Sequence, residues 1–293
     1  MTREAAQLRR ATSLRGRLWD SDAAYSVGSL LGMAASVVGV ARRGMRNAQD
    51  VALRRNTVAI PNLPSSLAGF RILHLSDLHV EHSEGQLVRV RDLLRSGIGF
   101  DICVFTGDFH AHVRSSLRRT LPPMARLASL IRQPMYAVLG HHDPLALAPY
   151  LEKAGMRVLC NESELLRVGD AHLCIAGIDD AHYFGTEDLA AAAATNPSAD
   201  VAVLLSHTPE VYAAAAAEGF HLMLSGHTHG GQICLPGGVP VIVQAPQLPR
   251  RMARGPWRHG PLAGYTSTGL GTSLASLRFN CPPEIALHTL TRA

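Results

Sequence analysis

The chain has 293 residues and a net charge of +5, with 47% hydrophobic and 17% charged side chains. This length suits one large catalytic domain with an appendage, and the composition excludes a wholly disordered chain. The five cysteines include no C-x-x-C pair, which argues against a disulfide framework or a cysteine-type zinc site.

The first 55 residues differ from the rest, since ten arginines and four acidic residues surround an uncharged apolar stretch over residues 23–41. That stretch is long enough to span a bilayer, although its glycines and serines would make a poor spanning helix. Three interpretations remain: a helix on or weakly across a membrane, a secretory signal, and a helix packed on the protein's own core. We favour membrane contact, and we predict an amino-terminal segment over 1–55 and a catalytic domain over 56–293.

From Phe70 onward, short β-type runs alternate with helical patterns, which predicts an α/β domain. The predicted strands are 71–76, 102–106, 136–139, 172–176, 201–205, 221–224, 241–244, 264–268 and 284–290. The predicted helices are 86–97, 115–132, 144–154, 187–194 and 209–218. Because the late strands lack intervening helices, we expect a second sheet.

Side chains of the kind that bind metals follow five of these strands, where each apolar run ends. They are Asp77, His79, Asp108, His141, His142, His207, His227 and His229. In open α/β sheets, ligands bind beyond the carboxyl ends of the strands, so we expect these side chains to converge. Residues two apart in extended backbone point to the same side, so Asp77 and His79 can bind one ion together. Carboxylate oxygen with imidazole nitrogen suits zinc, manganese or iron.

The motifs D-x-H, G-D, G-x-H-D, a single histidine and G-H-x-H, in that order, resemble the calcineurin-like metallophosphoesterase family. The resemblance extends over residues 70–290, and G-H-T-H-G-G-Q-I at 226–233 is similar to a bacterial, often membrane-associated branch. It implies a four-layer α/β/β/α sandwich of two mixed β-sheets flanked by helices. It also implies two divalent metal ions, Mn2+, Zn2+ or Fe2+, which activate a water between them.

Individual roles follow from the same resemblance. The first metal is expected on Asp77, His79 and His229, the second on His207 and His227, and Asp108 is expected to bind both. His142 matches the family's histidine that contacts the phosphate or protonates the leaving group, which makes it the candidate catalytic residue.

Two positions depart from the family pattern. His141 stands where the family carries an asparagine that binds the second metal. An imidazole can replace the amide as a neutral ligand; alternatively, the ring is too large and second-metal affinity falls. Ala111 stands where many relatives carry an acid that orients the catalytic histidine, so another group must hold the His142 tautomer. His110 and His112 lie close enough in sequence to approach the site.

A Pro/Gly-rich insertion after the last motif carries Arg250, Arg251 and Arg254, which we name as candidate substrate-binding residues. Such a loop can present arginine to a phosphate or a basic edge to lipid headgroups. A solvated surface loop is the equal alternative.

The sequence therefore predicts a hydrolase of phosphoester or pyrophosphate bonds that acts on a phosphorylated small molecule or a lipid-linked substrate. We expect it in the cytoplasm, peripheral to or anchored at the inner membrane through residues 1–55. One alternative, by analogy alone, is a UDP-2,3-diacylglucosamine pyrophosphatase of lipid A synthesis. Another is a catalytically inactive metal-binding scaffold, which the presence of His142 and all six standard ligands disfavours. The low aromatic content, 5%, argues against nucleic acid as a partner.

Overall fold

The computed structural model describes residues 40–112, 116–194, 198–245, 247–273 and 275–293. The predicted apolar helix over 23–41 lies outside these ranges except for its last two residues. Among the described residues, no helix combines the length and the apolar character that crossing a bilayer requires.

Fourteen strands are present in the described residues, and twelve of them build two six-stranded sheets. They are β1 Ala52–Ile60, β2 Arg71–Leu75, β3 Ile102–Thr106, β4 Met135–Val138, β5 Met156–Val158, β6 Glu162–Val168, β7 Ala171–Gly177, β8 Val201–Leu205, β9 Leu222–Ser225, β10 Cys234–Leu235, β11 Val239–Pro240, β12 Gly255–His259, β13 Leu262–Thr266 and β14 Glu284–Arg292. The remaining two, β10 and β11, form a separate hairpin.

The two large sheets share one plan, with parallel central strands and antiparallel neighbours toward the edges. The first sheet has the order β1-β14-β2-β3-β4-β5, in which β2 to β5 are parallel and β14 is antiparallel to β2. The second has the order β12-β13-β9-β8-β7-β6, in which β7, β8, β9 and β13 are parallel. Its edge strands β6 and β12 are antiparallel to their neighbours. Both sheets are therefore mixed.

Helices cover the outer face of each sheet. They are α1 Ala41–Asn47, α2 Glu84–Arg95, α3 Leu117–Ala128, α4 Ala148–Lys153, α5 Leu189–Ala194 and α6 Tyr212–Ala217. Side chains in a strand alternate between its two faces, so in β3 Cys103 and Phe105 pack with α2, α3 and α4, whereas Ile102 and Val104 pack between the sheets. A third apolar cluster joins the second sheet to α5 and α6. The predicted four-layer α/β/β/α sandwich is confirmed.

The amino-terminal boundary lies elsewhere than predicted. β1 pairs in parallel with β14 along its whole length, from Ala52 beside Glu284 to Ile60 beside Arg292, so the predicted boundary between residues 55 and 56 falls inside a strand. α1 also belongs to this domain, since the Gly44 carbonyl accepts from the Arg278 amide at 3.0 Å. The sequence pattern did not indicate β1 because β1 is an edge strand whose arginines, Arg54 and Arg55, are exposed.

The strand predicted over 241–244 is wrong. Val241 and Ile242 are each at least half exposed, and the Val241 amide donates to the Ile233 carbonyl of a neighbouring loop. Pro240, which lacks an N–H, immediately precedes them, and the hairpin β10–β11 takes the place of a longer strand. The other predicted strands and helices are present, two strands with the predicted ends and the rest with shifted ends. The helices predicted over 144–154 and 209–218 begin as 3-10 turns.

Candidate metal centre

The strand ends that carry the candidate ligands meet at one edge of the sandwich. β2, β3 and β4 of the first sheet and β8 and β9 of the second all end there, as the argument from parallel strands predicted. Their side chains form two clusters in which the candidate ligand atoms lie within 4.8 Å of one another. The first cluster is Asp77, His79 and His229, and the second is His141, His207 and His227.

The first cluster has two imidazoles and one carboxylate, all buried. His79 Nε2 lies 3.1 Å from His229 Nε2, which lies 3.5 Å from Asp77 Oδ1. His79 Nδ1 lies 2.7 Å from the His110 carbonyl oxygen. Because a carbonyl only accepts, Nδ1 carries the proton and the Nε2 lone pair faces the cluster. This is the tautomer that a metal ligand requires.

The second cluster consists of three imidazoles. His207 Nδ1 donates to the Thr106 carbonyl at 2.8 Å, and its Nε2 lies 3.0 Å from His141 Nδ1. Burial acts to lower the pKa of His207, but the Asp108 carboxylate outweighs it and raises that pKa to about 10, so a cation bound at Nε2 would take the place of a proton. Both ring nitrogens of His227 are buried and find no hydrogen-bond partner among the described residues. A buried polar group left unpaired costs roughly 1–3 kcal/mol, so a cation here would satisfy an otherwise unfavourable ring.

Asp108 lies between the clusters. Its Oδ2 is 3.4 Å from both His207 Nε2 and His141 Nδ1, and its Oδ1 accepts from the His142 amide at 3.0 Å. Burial acts to raise the pKa of Asp108, but His141, His207 and His142 outweigh it and hold that pKa well below its usual range. The carboxylate is therefore anionic, which is the form that binds a cation.

The backbone at the clusters is strained. Five of the candidate ligands have left-handed φ: Asp77 at 50°, His79 at 41°, Asp108 at 54°, His227 at 69° and His229 at 48°. Non-glycine residues rarely adopt this conformation, and such strain gathers at functional sites. Two glycines let the turns approach each other. A β-carbon at Gly226 would overlap Ser76 Oγ and Asp77 Oδ2, and one at Gly140 would overlap Asp108 Oδ1.

A chain of buried hydrogen bonds ends on Asp77. Its members, in order, are Asn56, His288, His74, Thr106, Ser76 and Asp77. Asp77 only accepts, so Ser76 donates to it at 2.6 Å and must itself accept from Thr106 at 2.7 Å. By the same logic Thr106 accepts from His74 Nε2, and His74 Nδ1 accepts from His288 Nε2. Burial lowers the pKa of His288 to about 3 and holds the pKa of His74 well below its ordinary value, so both rings are neutral and the direction of the chain is fixed.

His142 lies at the rim of the site. Its Nε2 is 3.9 Å from Asp108 Oδ2 and its side chain is 25% exposed, so it is more accessible to an incoming molecule than His141 at 17% or His207 at 0%. Burial lowers its pKa to about 4, although Asp108 acts against this. Of the two nearby histidines, His112 approaches it, with ring centroids 6.2 Å apart. The His110 ring faces Glu81 and Thr120 instead, at 3.4 and 3.3 Å.

Sequence reasoning missed two residues at the site. His182, from the loop after β7, places its ring 4.3 Å from His227 and its Nδ1 2.5 Å from Glu210 Oε2. Arg278 is fully buried, donates to the Thr268 carbonyl at 2.8 Å, and lies 3.4 Å from His229 Nδ1. His182 follows no strand motif. Arg278 belongs to a run, Arg278-Phe-Asn, that is similar to the bacterial branch of the family, but nothing in the sequence pairs it with His229, so the tertiary structure reveals both contacts.

The three predicted substrate-binding arginines lie beside the hairpin β10–β11. Arg250 Nη1 donates to the Pro240 carbonyl at 3.3 Å, and Arg254 Nη1 donates to the Gly238 carbonyl at 2.9 Å. Arg251 is exposed. Arg250 and Arg254 thus hold the hairpin in place, and a role for any of the three in substrate binding stays a prediction.

The donor set fits divalent cations. Two carboxylates and five imidazoles converge, at least two of the rings have a tautomer fixed by a carbonyl, and His227 has no other partner among the described residues. Nitrogen and oxygen donors in this mixture suit Zn2+, Mn2+ or Fe2+. Burial raises the pKa of Asp77 because it disfavours the anionic form of the carboxyl group, and a bound cation would stabilise that form.

Comparison with known proteins identifies the family of the chain. A family model described as calcineurin-like phosphoesterase matches residues 70–231. The uncharacterized metallophosphoesterase YkoQ of Bacillus subtilis (strain 168) is 28% identical over 260 residues, which cover 84% of this chain and 92% of YkoQ. Phosphodiesterase YaeI of Escherichia coli (strain K12) is 31% identical over 241 residues, which cover 76% of this chain and 83% of YaeI. The solved calcineurin-like phosphoesterase YfkN from Bacillus subtilis overlaps with a TM-score of 0.46 at 13% identity, covering 70% of this chain and 82% of YfkN.

Proposed function

Because the chain belongs to the calcineurin-like phosphoesterase family and is therefore a metal-dependent phosphoester hydrolase, we propose that it uses two divalent ions, one held by each cluster. The observation that carries this proposal is the position of Asp108. Its Oδ2 lies 3.4 Å from a ring nitrogen of both His141 and His207 in the second cluster. A carboxylate oxygen of Asp108 also lies within 4.8 Å of one of Asp77 in the first cluster. In this proposal the first ion binds Asp77, His79 and His229. The second binds His141, His207 and His227, and Asp108 binds both.

His141 is the ligand that distinguishes this chain from the family pattern. Its Nδ1 points at the second cluster, 3.0 Å from His207 Nε2, which supports ligation over exclusion of the ring from that space. Replacing an amide oxygen by an imidazole nitrogen favours borderline metals, so we propose Zn2+ or Fe2+ ahead of Mn2+ at the second position.

The residues around the ions divide the remaining tasks. Two bound divalent ions supply Lewis acidity toward a phosphate and lower the pKa of a water between them. The carbonyls of His110 and Thr106 hold the rings of His79 and His207 in the ligating tautomer. His142, partly exposed at the rim, is the group of this chain placed to donate a hydrogen bond to a phosphate oxygen of the substrate.

Among phosphoesters, phosphodiesters are the first candidates. This choice is supported by YaeI, which is named a phosphodiesterase and is 31% identical over 241 residues. Monoesters and pyrophosphates remain outcomes of a substrate screen. Membrane contact through residues 1–55 and a cytoplasmic, inner-membrane location stay predictions.

Hydrolysis of bis-p-nitrophenyl phosphate by the full chain tests the proposal. We expect turnover that stops in a chelator and returns on addition of Mn2+ or Zn2+. His142→Ala should reduce turnover by about 100-fold or more, the usual contribution of a positioned acid-base group, while the metal content stays unchanged. Asp92→Asn, an exposed acid on α2, is the control and should leave turnover intact. A protein that binds two metals and hydrolyses no phosphate ester would instead be a scaffold.

A further inference from the structure

An apolar cavity opens directly beside the first metal cluster. Its volume is about 560 Å³ including the open mouth, and its lining includes His229 and Thr228 on one side and Ile233, Val241 and Ile242 on the other. Because His229 lines the cavity and is also a candidate metal ligand, a molecule in the cavity would lie next to a phosphate at the clusters.

The mouth of the cavity exposes an unusual amount of apolar surface. Ile242 is 58% exposed and Val241 is 50% exposed, and the adjoining hairpin adds Leu235 at 56% and Val239 at 50%. These four are half of the eight large apolar side chains that are exposed in the described residues. Contiguous apolar surface next to a polar site marks a place where another apolar group binds.

The cavity wall is held in position without any ligand. The Val241 amide donates to the Ile233 carbonyl at 3.1 Å, and a β-carbon at Gly231 would overlap Pro240, so the segment is packed against the metal-binding loop. Arg254 and Arg250 hold the same segment through the carbonyls of Gly238 and Pro240. These arginine contacts therefore serve to shape the cavity.

The lining specifies the chemistry of the occupant. Among the described residues of the lining, His229 is the only ionisable one, and its Nε2 belongs to the first cluster. The other polar members, Thr228, Gln232, Gln244 and Ser273, are neutral, so a charged ligand would find no charged partner there. We propose that the cavity binds an aliphatic chain that the substrate carries on its reacting phosphate. The inference rests on the proposed function and names the substrate class: phosphoesters with one apolar ester group.

The test is a series of p-nitrophenyl alkyl phosphates, from methyl to octyl, each kept below its micelle-forming concentration. We expect kcat/KM to rise with each added methylene until the cavity is full, by about fourfold for a fully buried methylene. Ile242→Ser should reduce the ratio of octyl to methyl kcat/KM. Val88→Ser, which alters a side chain 43% exposed on α2, is the matched control and should keep the full ratio.

Binding provides a second readout that does not require turnover. Calorimetry with alkylphosphonates, which are not hydrolysed, should show affinity rising with chain length and a negative heat-capacity change. Equal kcat/KM across the series, with normal hydrolysis of bis-p-nitrophenyl phosphate, would overturn this inference and leave the proposed function standing. Occupation of the cavity by residues 23–39 of the chain itself would have the same consequence. Chain-length dependence that appears only with phospholipid vesicles would also overturn it, since the apolar face would then contact a bilayer. Absence of any hydrolysis would instead overturn the proposed function.

Discussion

Thr106→Val interrupts the hydrogen-bond chain that ends on Asp77 while nearly preserving the shape of the side chain. The substitution removes the bond from His74 at 2.8 Å and the bond to Ser76 at 2.7 Å. Ser76 Oγ then loses the donor that fixes its orientation, and its own bond to Asp77 at 2.6 Å is no longer held in one direction. The carboxylate of the first cluster becomes less well positioned.

The magnitude follows from two separate effects. Loss of an outer partner of a metal ligand typically lowers metal affinity about 10- to 100-fold, or about 1.4–2.7 kcal/mol. Leaving His74 Nε2 and Ser76 Oγ without their buried partner costs about 1–3 kcal/mol of folding free energy for each group. We therefore expect weaker metal binding together with a lower free energy of unfolding.

Competition with a chromophoric chelator measures the affinity, and urea unfolding of the metal-free protein measures the stability. Ser225→Ala is the matched control, because Ser225 is a buried serine at the end of β9 that bonds to the Tyr265 carbonyl at 3.4 Å and to no candidate ligand. If Thr106→Val loses stability but binds metal as tightly as Ser225→Ala, the chain supports only the fold, and the positioning argument is refuted.

Three further predictions concern the same region. The pKa of His288 in the folded chain, about 3, lies below its ordinary 6.5, so between these values the unfolded chain binds a proton that the folded chain does not. The contribution of neutral His288 to the free energy of unfolding is therefore fully present above pH 6.5 and falls by about 2 kcal/mol by pH 5. Urea unfolding at pH 7 and pH 5 should show that His288→Gln reduces this difference, and an unchanged difference would contradict the assignment. Gly226→Ala should abolish binding at the first cluster, because the β-carbon overlaps Ser76 Oγ and Asp77 Oδ2; full metal content measured by mass spectrometry would contradict this. His141→Asn should weaken zinc at the second cluster in a chelator titration, and a variant that binds more metal and works faster would show that His141 is a poor ligand.

The interior of the fold was predictable from sequence because its strands are buried on both faces. Continuous apolar runs such as 102–106 and 201–205 signal such strands, and both matched the structure. The pattern missed six strands: the two short strands of the hairpin β10–β11, and β1, β5, β6 and β12, which are the four edges of the two large sheets. Edge strands carry polar and charged side chains toward solvent, so they resemble loops in sequence.

The candidate ligands could be found because each follows a recognisable strand within four residues. Their supporting groups could not, since His288 and Asn56 come from β14 and β1 and meet His74 only through sheet pairing. His182 reaches His227 by a loop of no distinctive pattern. Tertiary contacts of this kind leave no periodic signal, whereas a ligand at a strand end does.

Metal content measured alongside turnover tests the central claim most directly. The full chain, purified and loaded with Zn2+ or Mn2+, should hold two ions per molecule. Asp108→Asn should hold fewer and lose about 100-fold or more in hydrolysis of bis-p-nitrophenyl phosphate, because both clusters share its carboxylate. A fully active protein with a single ion, or an Asp108→Asn variant that keeps two ions and full turnover, would contradict the account.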